Sequence, residues 1–90
     1  MPRYVVEREI AEIGDVSEEE VFEASRRALD AMGPLGSKIQ WLHSYVTDDK
    51  VYCVYIAPDE EAVRRHSELV GLPVDRISAV RGLLDPSDYA

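Results

Sequence analysis

The stretch from Ile39 to Ile56 constrains the fold of this chain more than any other. Two strand-like runs, Ile39-Gln40-Trp41-Leu42-His43-Ser44-Tyr45-Val46 and Val51-Tyr52-Cys53-Val54-Tyr55-Ile56, flank the polar turn Thr47-Asp48-Asp49-Lys50. Such a pattern reads as a β-hairpin. An even number of loop residues sets Val46 opposite Val51, Tyr45 opposite Tyr52 and His43 opposite Val54.

Each flank of the hairpin repeats one theme. Upstream, Tyr4-Val5-Val6-Glu7-Arg8-Glu9-Ile10 is β-branched and aromatic at its start and then alternates, the mark of a strand. Ser17-Glu18-Glu19-Glu20 has the form of a capping box, and its acids suit the positive end of a helix dipole. Behind it Val21, Phe22, Ser25, Ala28, Leu29 and Met32 fall on one helical face, with Gly33-Pro34 as the stop. Downstream, Ala57-Pro58-Asp59-Glu60-Glu61 opens a second helix whose inner stripe is Ala62, Val63, His66, Leu69 and Val70, ended by Gly71 and Pro73. Arg76 to Arg81 reads as a last strand. The order strand, helix, strand, strand, helix, strand predicts an α+β fold: a ferredoxin-like βαββαβ sandwich with a four-stranded antiparallel sheet and two helices on one face. Ninety residues fit one domain, residues 1–90.

Composition narrows the function. Lys+Arg 10 against Asp+Glu 18 gives a net charge of -8, a field that repels nucleic acid and anionic lipid. One cysteine allows neither an intramolecular disulfide nor an all-Cys zinc site, and it suits a reducing, cytoplasmic setting. Early acids argue against a signal peptide, and no apolar run reaches the ~18 residues of a membrane span. There is no Gly-rich phosphate loop, nucleophile elbow, zinc-protease helix or EF-hand loop, so no familiar enzyme type is indicated.

The hairpin register sorts the candidate residues by face. Trp41, His43, Tyr45, Tyr52, Val54 and Ile56 fall on one face, and Leu42, Ser44, Val46, Val51, Cys53 and Tyr55 on the other. The smaller, aliphatic set suits helix packing, which leaves the aromatic set on the open side. An open aromatic face is an exposed apolar patch. It predicts a homodimer packed face to face, in the manner of a dimeric α+β barrel, a small-molecule pocket at that interface, or both. His43, among aromatics, can bind a metal or move a proton. His66 lies on the inner stripe of the second helix, as a core-edge residue does. Two imidazoles are too few for a transition-metal site, so Glu7, Glu9, a tyrosine or a second chain must contribute. Cys53 reads as a small buried hydrophobe. The acids at both helix starts read as capping residues, and Asp48-Asp49 as a turn.

The run Trp41 to Pro58, with Arg3-Tyr4-Val5-Val6-Glu7-Arg8 before it and Glu60-Glu61-Ala62-Val63-Arg64-Arg65-His66 after it, resembles a family of small bacterial proteins known as a domain of unknown function. The likeness covers nearly the whole chain. It implies a ferredoxin-like fold, a tendency to dimerise, and a metal-binding role, since the family includes an actinobacterial nickel-binding protein. The histidine of the Trp-x-His-Ser-Tyr run is His43, and the helix histidine is His66. Gly71-Leu72-Pro73 departs from the Gly-Phe-Pro form of the family. The leading expectation is a cytoplasmic homodimer that binds nickel, with zinc as the alternative. His43 and His66 are its imidazole ligands, Glu7 and Glu9 its carboxylates, and Trp41, Tyr45 and Tyr52 line the site, the two tyrosines as hydrogen-bond donors behind the ligands. On the predicted register His43 points to the open face and His66 to the helix side, so they serve separate sites or meet across subunits. A second expectation is a small-molecule binding protein or cofactor-independent enzyme with His43 as general base. A third is a structural interaction module.

Overall fold

A computed structural model describes residues 1–31 and 38–89 of the chain. The elements follow the predicted order: β1 (Arg3–Glu9), α1 (Glu18–Ala31), β2 (Gln40–Val46), β3 (Lys50–Ile56), α2 (Glu60–Val70) and β4 (Arg76–Ala79). The four strands form one antiparallel sheet in the order β2-β3-β1-β4, the ferredoxin-like arrangement. Two helices make it an α+β sandwich. The predicted stop of the first helix, Gly33-Pro34, lies outside the described residues, as does Met32 of its inner face. The last strand ends at Ala79, two residues short of expectation.

Local chemistry sets the helix ends. Ser17 Oγ accepts from the Glu20 amide at 3.2 Å, and Asp59 Oδ1 accepts from the Ala62 amide at 2.8 Å. Both satisfy amides that a helix start leaves free. At the end of α2 Gly71 takes a left-handed φ of 74°, with its N–H donating to Glu68 O. Only glycine adopts that conformation without strain.

The segment after β1 is tacked onto the tip of the hairpin. The Ile10 amide donates to Asp49 O at 2.9 Å and the Gly14 amide to Asp48 O at 3.0 Å. A Cβ on Gly14 would lie 2.8 Å from Asp48 Cα, so the close approach excludes a side chain.

The core lies between sheet and helices, around Tyr4, Val6, Val51, Cys53, Tyr55, Ala57 and Val63. Cys53 is a free thiol packed there as expected. Two inner-stripe positions depart from expectation. Leu69 is 54% and Phe22 52% exposed, while Ser67 is buried and returns its hydroxyl to Val63 O.

Candidate functional site

Pairing across the sheet places each chemically active side chain on one of two faces, because directly opposed residues share a face. On the open face, Tyr45 pairs with Tyr52, Tyr52 with Glu7, and Glu7 with Arg76. The next rung runs His43, Val54, Val5, Ser78. Glu9 pairs with Lys50. His43 is exposed, and its ring meets Tyr45 edge-on at 5.2 Å between centroids. Lys50 Nζ lies 3.6 Å from Glu7 Oε1, and that carboxylate is the main cause of a raised lysine pKa. Five of the expected site residues, His43, Tyr45, Tyr52, Glu7 and Glu9, thus share this face.

Trp41 does not. The ladder shifts between Trp41 and His43, so that Trp41 pairs with Tyr55 and Leu42 becomes the extra residue of a β-bulge. One added residue reverses the side-chain alternation of the strand before it. Trp41 therefore turns to the helix side, packs its ring 6.1 Å from Phe22 of α1, and donates its indole N–H to Ser44 Oγ at 2.9 Å. Its expected place in the open aromatic face is corrected accordingly.

His66 occupies the opposite side of the sheet, as the register predicted. It is 2% exposed, its ring lies 5.2 Å from that of Tyr55, and neither ring nitrogen has a hydrogen-bond partner. Burial, and next the nearby Arg8 charge, hold its pKa below the usual 6.5, so the ring is neutral near pH 7.

Arg8 is the residue that sequence reasoning passed over. Tyr4, Val6 and Arg8 alternate inward along β1, and Arg8 is 0% exposed. Its Nη1 donates to Pro73 O at 2.9 Å, its Nη2 to Tyr55 Oη at 3.2 Å and its Nε to Cys53 Sγ at 3.4 Å. None of the three acceptors is a carboxylate, and among the described residues Arg8 enters no ion pair. The strand phase set by Tyr4 and Val6 was the available signal. Burial, the largest cause, pushes the Tyr55 hydroxyl up to about 12, so it remains a donor. These groups face a cavity of about 850 Å³ between α1 and the sheet, walled mainly by apolar side chains.

The two faces have opposite electrostatic characters at their histidines. A divalent cation is repelled where His66 adjoins a buried guanidinium, and is accommodated better where His43 meets solvent on a face with Glu7 and Glu9. Among the described residues no group of three or more His, Cys, Asp and Glu side chains is gathered for a metal ion, so the open face of one chain offers a partial donor set. No described helix is long and apolar enough to cross a membrane.

Comparison with known proteins agrees with this architecture. The solved structure of SCO4226 from Streptomyces coelicolor A3(2) is similar with a TM-score of 0.73, over 91% of this chain and 99% of that one, at 17% identity. No curated protein matches the chain. The family described as nickel responsive protein SCO4226-like matches residues 4–80, and the chain belongs to that family.

Proposed function

We propose that this member of the SCO4226-like family binds nickel on the open face of its sheet, with His43 as the anchoring ligand. The family description supports the metal. The observation that carries the reading is the location of His43, an exposed imidazole on the face that also holds Glu7 and Glu9, whereas His66 is sealed beside Arg8. Imidazole nitrogen and carboxylate oxygen form a donor set that Ni(II) accepts. Glu7 and Glu9 supply the carboxylates, Glu7 after release from Lys50, and Tyr45 and Tyr52 orient them as hydrogen-bond donors.

One chain offers too few ligands, so the coordination sphere is completed by a second copy. Face-to-face pairing would also cover the half-exposed Val5, Val54 and Ile56 and the 62% exposed Tyr45, an apolar patch beside the metal. The reading is thus of a homodimer, cytoplasmic in keeping with its free thiol, that responds to nickel by binding it.

Calorimetric titration of nickel chloride into the metal-free protein tests this. Wild type and His66→Ala should take up nickel, and His43→Ala should lose at least tenfold in affinity, as when one ligand goes. No uptake by wild type, or equal uptake by His43→Ala, would refute it.

A further inference from the structure

The helix side of the sheet carries a second group of polar side chains, Arg8, Tyr55 and His66, beside a cavity. A fully buried arginine is rare unless paired with an acid. Arg8 has no such partner among the described residues, and its recorded hydrogen bonds use three of its five N–H groups. Beside it His66, 2% exposed, holds an N–H and a lone pair without a partner, and Tyr55, which accepts from Arg8, carries an O–H donor of its own. Three donors, one of them cationic, therefore line one wall of a cavity of about 850 Å³, within the range of small-molecule sites. Ile13, Val21, Leu29, Val51 and Leu72 supply apolar surface around them.

We propose that the space between α1 and the sheet binds a small monocarboxylate with an apolar body, its carboxylate held by the Arg8 guanidinium, the Tyr55 hydroxyl and an N–H of His66. One net positive charge balances one negative charge, whereas a dianion such as phosphate would bring a second charge into an apolar enclosure without compensation. The apolar walls then accommodate the body of the acid. Glu18 and Glu20 touch the cavity from the exposed first turn of α1, where solvent hydrates them, so they form the mouth and not the floor. Arg8, Tyr55 and His66 lie on the sheet face opposite Glu7 and Glu9; His43 also borders the cavity from β2, but the carboxylate is held by none of the proposed nickel ligands, so nickel binding can fail without affecting it.

The test compares ligands of matched shape and different charge on the wild-type protein. Decanoate and 4-phenylbutanoate represent aliphatic and aromatic bodies; decanol and decylamine replace the carboxylate by a neutral and a cationic head. Imidazole NMR signals report the location, since the chain has only two histidines. At least one of the acids should shift the His66 ring signals more than those of His43, which borders the cavity from β2, and should bind at least tenfold more tightly than either control. Arg8→Met should remove that preference. If that variant does not fold, Tyr55→Phe should weaken the acid severalfold and leave decanol unchanged. Equal affinity for acid and alcohol, tighter binding of decylamine, shifts confined to His43, or no binding of either acid at about 1 mM would each overturn the proposal.

Discussion

Replacing His66 by phenylalanine should stabilise the protein. The imidazole is almost fully buried with both nitrogens unpartnered, and a buried polar group left in that state costs about 1–3 kcal/mol. Phenylalanine keeps the aromatic contact with Tyr55, now 5.2 Å between centroids, and its extra volume can extend into the adjoining cavity. The gain at pH 7.5 should therefore be about 1–3 kcal/mol, which for a chain of this size raises Tm by roughly 4–24 °C. Acid should widen the difference. His66 titrates below its ordinary 6.5 in the folded protein, chiefly through burial and then through Arg8. Between the folded and unfolded pKa values the unfolded chain binds more protons, so the His66 contribution is intact above about 6.5 and declines as pH falls below it. The slope from this one group cannot exceed about 1.4 kcal/mol per pH unit. Urea denaturation of both proteins across pH 5–8 measures the effect. A variant less stable than wild type at pH 7.5, with the same decline in acid, would refute the reasoning and show that the ring nitrogens are satisfied.

Gly14→Ala should cost about 1–3 kcal/mol by pressing against the hairpin backbone at Asp48. Gly82→Ala, which meets nothing within 4 Å, should shift the denaturation midpoint little by comparison. Asp59→Ala removes the cap on the Ala62 amide and should cost about 0.5–2 kcal/mol, read as a lower urea midpoint at an unchanged slope.

Much of this architecture is legible in the residues. Hairpin chemistry at Thr47 to Lys50 predicts the observed pairing as far as His43, and capping residues locate both helix starts. Legibility stops at Leu42, because a bulge there is carried by neither glycine nor proline and leaves no compositional mark. That single residue turns Trp41 to the other face. Arg8 escaped because charge usually signals solvent, while the alternation of Tyr4 and Val6 already pointed inward. The separation of His43 from His66 follows from strand register and helix stripe. The missing partners of the His66 nitrogens depend on what packs against α2 from elsewhere in the chain, which local pattern does not encode.

The central claim divides the two histidines, assigning nickel to the open face and leaving His66 outside the coordination sphere. Imidazole NMR during substoichiometric addition of nickel, with His43→Ala to assign the rings, reads each histidine separately. The account predicts that the His43 signals shift or vanish first while those of His66 persist. Loss of the His66 signals first, or no change at either ring, would contradict it.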